Sequence, residues 1–272
     1  MADLTPDQQP DAWSSSAAGY DEAFAGFTGP YADSLLDATG LSEDHDVLDV
    51  AAGTGALTLR AARRGAKSVH GTDFAPGMVA ALEERLAAEG HDAARAEVMD
   101  GQALTVDDAS YDRAYSLFGL IFFPDADRGF AELHRALRSG GRVGVATWNL
   151  AVFPMAGIIL ETLSEAVEGF EPPTEPPAWA RIGDAATLAD HLERAGFSDA
   201  EVHEVSHDWM VDDPRAFFID IPSWSPPLAP LFEILADEQI QHAADAFDRA
   251  VHRALGDRDG IETGALLGVG TR

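Results

Sequence analysis

Cysteine is absent from all 272 residues, which excludes disulfides, a thiol nucleophile and a cysteine-ligated zinc site. Lysine is nearly absent as well. Lys67 is the single one, and 18 basic residues face 47 acidic ones, for a formal net charge of −29. Phosphate backbones are bound by basic stripes, and none is visible, so no nucleic-acid partner is expected. No apolar run approaches the roughly 20 residues of a membrane helix, so no membrane span is expected. The opening MADLTPDQQPDAWSSS is acidic and polar, unlike the basic and then apolar start of a secretory signal. Residues 1–15 read as a flexible tail, and the chain as cytoplasmic. Two sources of the acidity stay open: GC-rich coding, or a salt-loving host whose acidic proteome keeps its proteins hydrated.

What is present is enough for one sizeable core, since 46% of the residues are hydrophobic. Residues 19–39 read as one or two short helices broken at Gly29-Pro30. Strands and helices then alternate. DVLDVA (46–51), SVHGTD (68–73), ARAEVMD (94–100), a segment within 111–119, and RVGVATWN (142–149) read as strands. Between them, 56–65, 76–90 and 125–141 read as helices, the last closed by Gly140-Gly141. This alternation predicts a doubly wound, Rossmann-like α/β sheet, mostly parallel. After residue 150 come a helix over 152–170, a Pro-rich loop at 171–177 and a helix over 184–197 capped by Asp184. A strand over 201–211, a helical stretch over 212–260 and a final strand over 264–271 complete the chain.

The stretch DVLDVAAGTGALTL (46–59) runs from a strand through a Gly-rich turn into a helix. That is how nucleotide-type cofactors are held. As a dinucleotide fingerprint it is partial, because Thr58 stands where Gly or Ala allows close helix–strand packing. Asp73 lies 18 residues beyond Gly55, where an acid binds a ribose hydroxyl in any ribose-bearing cofactor. Asp49 discriminates better. A carboxylate at the end of the first strand would repel a pyrophosphate but suits a tail bearing an ammonium group. Asp100-Gly101-Gln102, after the third strand, offers an acid and free N–H groups to an adenine edge.

Taken in order, VLDVAAGTG, GTDFAPGMV, EVMDGQAL, YDRAYSLFGLIFFPD and LRSGGRVGVATW resemble the motifs of class I S-adenosylmethionine-dependent methyltransferases. The resemblance is nearest to the subgroup with the ubiquinone and menaquinone C-methyltransferases (methyltransferase type 11). It covers residues 18–149 well, and 184–209 and 264–271 more loosely. One position departs: Ala51 replaces the first Gly of the usual turn. The resemblance implies a seven-stranded sheet in the order 3-2-1-4-5-7-6, its last strand antiparallel, with helical cap insertions. It implies one domain over 16–272, with a cofactor core at about 40–149 and cap or acceptor elements at about 16–39, 150–183 and 212–260.

It also implies roles. Asp49 and the backbone of Ala51, Gly53, Thr54 and Gly55 would face the methionine part of S-adenosylmethionine, or of the product S-adenosylhomocysteine. Asp73 would take the ribose hydroxyls, Phe74 and Met78 would pack the adenine, and Asp100 would accept from its amino group beside Gly101 and Gln102. Ser116, Leu117 and Phe118 would line the methyl-transfer position, and Tyr20 would fold over the cofactor. An activated methyl group leaves the protein mainly to align the reactants and exclude water. A general base helps for some acceptors, and His207 is the candidate. No cluster has metal-ligand spacing. The acceptor is expected to be a small molecule, apolar or aromatic, offering an O-, N- or C-nucleophile. The cap segments are rich in rings for it: Trp13, Phe153, Phe170, Trp179, Phe217, Phe218, Trp224 and Phe232, with Trp148 and Trp209 at strand ends. Two rival functions remain. One is an NAD(P)-dependent oxidoreductase, for which Lys67 is badly placed. The other is a non-catalytic ligand-binding module that keeps the fold.

Overall fold

The computed structural model describes residues 5–172 and 177–272. Residues 1–4 and most of the expected Pro-rich loop lie outside the described residues. The first half runs α1 (Pro10–Thr39), β1 (Asp46–Val50), α2 (Thr58–Arg63), β2 (Ser68–Asp73), α3 (Pro76–Glu89), β3 (Ala94–Val98), β4 (Tyr111–Leu117), α4 (Ala126–Ala136) and β5 (Leu137–Trp148). The second half runs α5 (Pro154–Ala166), α6 (Ala185–Arg194), β6 (Ser198–Trp209), α7 (Pro214–Ile219), α8 (Ile221–Trp224), α9 (Ala229–Glu233), α10 (Asp237–Leu255) and β7 (Ile261–Thr271).

The strands form one seven-stranded sheet in the order β3-β2-β1-β4-β5-β7-β6. β7 is antiparallel to both its neighbours and the remaining pairings are parallel, as the resemblance implies. Helices cover both faces. On β5, Gly144 leaves room for Thr39 of α1, and its register partner is Val269 of β7. The next residue along β7, Gly268, leaves room for Leu188 and Leu192 of α6. Successive strand residues point to opposite faces, so α1 and α6 lie on opposite sides of the sheet.

Local signals explain most boundaries. α3 opens with Pro76 and ends at Gly90, whose left-handed backbone (φ 72°) returns its N–H to the carbonyls of Leu86 and Ala87. Asp184 caps α6, its carboxylate accepting from the Thr187 N–H at 2.9 Å. The main core lies between sheet and helices. A second core joins α5, α7, α8, α9 and α10 around Trp209, Phe218 and Phe247, forming a helical cap beyond the end of β6.

Three expectations are corrected. Residues 5–15 are no tail: a 3-10 turn at Pro6–Gln8 leads into α1, and Asp7 and Trp13 are buried. Trp13 supplies the reason, because it packs on Ala75 and Met78. α1 also runs unbroken through Gly29-Pro30. Pro30 removes one backbone bond, but Tyr31, Ala32, Leu35 and Leu36 just beyond it are fully buried, and that packing outweighs the lost bond. Finally, α4 stops at Ala136 rather than at Gly140-Gly141. Leu137 is drawn into the sheet opposite Tyr111, and Gly140 takes a left-handed turn within β5 (φ 79°).

Candidate active site

The Gly-rich turn after β1 is built from left-handed residues: Ala51 (φ 57°), Gly53 (φ 55°) and Gly55 (φ 97°). At Gly55 the requirement is also spatial, because a Cβ there would strike Leu82 of α3. Ala51 has no such freedom, and an L-residue with a Cβ is strained there by about 1 kcal/mol. Asp73, at the end of β2, ties the turn down. Its Oδ2 accepts the Gly53 N–H and its Oδ1 the Ala75 N–H, each at 2.9 Å. Burial pushes its carboxyl up to about 6, against the pull of those backbone donors.

Asp49 lies beneath the turn, fully buried. Its Oδ2 accepts from the Thr58 hydroxyl at 2.7 Å, and its Oδ1 has no partner. Burial pushes this carboxyl up to about 7, with the Thr58 bonds opposing and nearby Asp73 adding to the rise.

A cavity of about 320 Å³ opens at the C-terminal ends of β1, β2, β3 and β4, where open α/β sheets place ligands. Tyr20, Ala51, Gly53, Asp73, Phe74, Met78, Asp100, Gly101, Gln102, Leu117 and Phe118 all line it. Thus α1 and loops from four strands bring together residues that span a hundred positions of sequence. Asp49, Thr54, Gly55 and Ser116 stand behind that wall. Thr54 donates to Asp21 at 3.0 Å, and the Ser116 hydroxyl is buried without a partner. Gly101 is required for space, since a Cβ would crowd the Phe123 ring and lie 2.8 Å from Val50. Asp100 accepts the Gln102 N–H at 2.9 Å.

Sequence reasoning missed part of the wall. Asp7, Gln8 and Pro10 close one side together with Trp13, which was expected only as an acceptor-side ring; they are held by a Trp13 indole bond to the Asp7 carbonyl (2.8 Å) and a Gly77 N–H bond to the Ser14 hydroxyl (3.1 Å). The polarity of this segment disguised it. Met99, Phe122, Phe123 and Pro124 were also missed as wall residues. For Phe122, Phe123 and Pro124 the signal was the FFPD run after β4.

A second, smaller cavity of about 80 Å³ adjoins the first. Nine aromatic side chains line it, among them Phe24, Trp148, Phe153, Trp179 and Trp224. Phe118 stacks on Trp148 at 3.8 Å, and Trp148 on Phe153 at 4.7 Å. Among the described residues no carboxylate, histidine or basic side chain lines it. Of the other expected rings, Phe218 and Phe232 are buried in the cap core, and Trp209 and Phe217 line a separate groove beside Asp212 and Asp220.

His207 reaches neither cavity. It lies 3.2 Å from the Ser34 hydroxyl, its ring edge-on to Tyr31. The reason is helix length: Ser34 is ten residues past Phe24 on α1, about 15 Å further along the axis. Among the described residues, no group of three His, Asp or Glu is placed to hold a metal, and no helix is long and apolar enough to cross a membrane.

Comparison with known proteins agrees with this geometry. A methyltransferase-domain family profile matches residues 47–141. A demethylmenaquinone methyltransferase of Corynebacterium glutamicum is 31% identical over 171 residues, which are 58% of this chain and 70% of that protein. The nocamycin O-methyltransferase of Saccharothrix syringae is 29% identical over 251 residues, 87% of this chain and 89% of that protein. Mycobacterial relatives, 37% identical over 119 residues, are matched over only 43% of their own length. Among solved structures, the [4+2]-cyclase SpnF superposes with a TM-score of 0.56 at 22% identity, covering 89% of this chain and 80% of that one. The chain belongs to the class I S-adenosylmethionine-dependent methyltransferases.

Proposed function

We propose that this protein transfers the methyl group of S-adenosylmethionine to an apolar, ring-bearing small molecule, in the cytoplasm. The observation that carries the reading is the pair of adjoining cavities, one walled by the Gly-rich turn, Asp73 and Asp100, the other by aromatic rings. The residues present fit the cofactor. Each oxygen of Asp73 accepts one backbone N–H, which leaves lone pairs on both for the two ribose hydroxyls. Phe74 and Met78 flank the adenine, whose amino group donates to Asp100 beside Gly101 and Gln102. The backbone of Ala51, Gly53, Thr54 and Gly55 holds the methionine tail. The buried Asp49 carboxylate beneath it favours an ammonium group, because screening is weak there. Tyr20 covers the cofactor, and Ser116, Leu117 and Phe118 bound the reacting end.

When bound, the cofactor supplies an activated methyl group. The chain's own task is alignment and exclusion of water. With no base among the described lining residues of the second cavity, the acceptor brings a nucleophile that reacts as a neutral lone pair or that ionises unaided. An O-, N- or C-nucleophile is compatible with that. The two homologues named as methyltransferases support methyl transfer over the nicotinamide and the non-catalytic alternatives.

Calorimetric titration with S-adenosylhomocysteine tests the reading, with NADH as control, at low and at molar KCl. Micromolar binding is expected for the wild type, none for NADH, and a loss of roughly 10- to 100-fold for Asp73→Ala, as removal of charge-assisted hydrogen bonds implies. No binding by well-folded protein in either salt would overturn it.

A further inference from the structure

We infer that the groove walled by Glu22, Asp212, Asp213 and Asp220 is a binding site for an organic ammonium ion whose apolar body carries an oxygen acceptor. The groove has a volume of about 320 Å³. Among the described residues it shares Trp224 alone with the aromatic cavity, and none with the cofactor cavity. The inference therefore stands apart from the cofactor reading.

Three segments build the groove. α1 gives it Glu22 and Ala23, while Tyr20 and Phe24 of the same helix line the aromatic cavity. The chain leaving β6 brings Trp209, Asp212 and Asp213. α7 and α8 bring Phe217 and Trp224, with Asp220 between the two helices. Gly19 lets α8 close against α1, because a Cβ there would lie 2.7 Å from the Ser223 carbonyl oxygen. The rings brace one another. Trp209 meets Phe217 at 5.2 Å, and Phe217 meets Trp224 at 4.9 Å.

Charge, size and one unpaired donor define the ligand. Among the described residues, four carboxylates and no basic side chain line the groove. Asp213 uses one oxygen to cap α7, accepting the Ala216 N–H at 2.9 Å. The side chains of Glu22, Asp212 and Asp220 make no hydrogen bond or ion pair. A cation from outside is the natural complement. It is not a bare metal ion, since among the described residues no three acidic or histidine side chains converge to hold one. Carboxylates set this far apart around aromatic rings suit a larger ammonium, whose charge the rings also attract and whose hydrocarbon they cover. The third feature is the Trp224 indole N–H, which is buried without a partner in a side chain that is 3% exposed. An unpaired buried donor is costly, and an oxygen on the ligand would accept from it.

Calorimetric titration of the full chain with three matched probes tests the inference. They are benzyloxyethylamine, phenylbutylamine (a methylene in place of the ether oxygen) and benzyloxyethanol (no charge). The ether amine is expected to bind about threefold more tightly than phenylbutylamine and about tenfold more tightly than the alcohol. Asp212→Asn/Asp220→Asn should weaken both amines about five- to tenfold, with Asp213 left in place as the α7 cap. Glu43→Gln/Asp44→Asn removes the same charge in the turn before β1, at the opposite end of the sheet, and should change binding less than about twofold. Trp224→Phe should erase the advantage of the ether. If it fails to fold, the comparison of the two amines on the wild type decides that point. Saturating S-adenosylhomocysteine should displace neither amine. Equal binding of amine and alcohol, equal effects of the two double variants, an ether no better than its methylene counterpart, or displacement by S-adenosylhomocysteine would each overturn the groove as this site. None of these results bears on whether S-adenosylhomocysteine itself binds, so the two readings fail separately.

Discussion

The methyl group of Ala51 occupies the space that a side chain on Gly119 would need, since a Cβ on Gly119 would collide with it. The two positions share one methyl's worth of room at the wall of the larger of the two adjoining cavities. Ala51 is the strained partner (φ 57°), whereas the backbone of Gly119 (φ −88°) suits any residue. Gly119→Ala alone should therefore destabilise the fold by about 1–3 kcal/mol, the cost of overpacking. In Ala51→Gly/Gly119→Ala the methyl changes sides, and most of that loss should be recovered, with a coupling of about 1 kcal/mol or more. Urea unfolding of the four proteins gives the cycle, and additive effects would show that the two residues do not share the space.

The buried carboxyl of Asp49 should make the ligand-free protein less stable as pH rises from about 4 to 7. Its folded value of about 7 lies above its ordinary one. The folded state thus holds a proton that the unfolded state has released, and stability present below pH 4 is lost on passing through the folded value. Asp73 acts in the same sense up to about pH 6. The groups pulled down by partners, Asp46 and Glu89 at about 2, act with opposite sign and only below about pH 4. Within the window His45, His70 and His134, which burial pushes below their ordinary value, act with that opposite sign, so only the comparison with a variant isolates the contribution of Asp49 to it. Asp49→Asn should flatten the slope across it, by up to about 1 kcal/mol per pH unit. Denaturation midpoints between pH 4 and 8 measure this, and parallel wild-type and variant curves would refute it.

Salt should raise the melting temperature. Carboxylates outnumber basic groups 47 to 18, and many of the cations are already engaged: Lys67 with Asp46, Arg138 with Asp112, Arg194 with Asp127, Arg215 with Asp245. The remaining acids repel one another. Molar KCl shrinks the screening length to about 3 Å. It also weakens the exposed ion pairs, but each contributes only about 0–1 kcal/mol. Relief of repulsion should dominate, with a rise of several degrees between 0.1 and 2 M KCl. A flat or falling melting temperature would remove the salt-adapted reading of the acidity.

Much of the candidate site was legible because its residues sit at local punctuation. Strand ends, the Gly-rich turn, Pro76 at a helix start and Gly90 at its end all announce themselves within a few residues. Asp73 could be picked out by its offset from the turn and Asp100 by its place after the third strand, and both line the cavity. The N-terminal wall was illegible because nothing local distinguishes a polar tail from a polar strap. The fate of Trp13 depends on Ala75 and Met78, some sixty residues away. Gly29-Pro30 misled for the same reason, since its helix-breaking tendency is local and the burial of Tyr31, Leu35 and Leu36 is not.

The sequence by itself determined the alternation of strands and helices, the Gly-rich turn after the first strand, and the family. The alternation and the turn follow from short-range patterns of burial and backbone preference, and the family from the resemblance of its ordered motifs. Tertiary structure alone decided what each buried ring is buried against. Phe217 and Phe218 are neighbours in the chain, yet one borders a groove and the other fills the cap core. His207 went to Ser34 rather than to the cavity. Periodicity reports that a side chain leaves water, whereas the identity of its partners is set by contacts between distant segments that exist only once the chain has closed on itself.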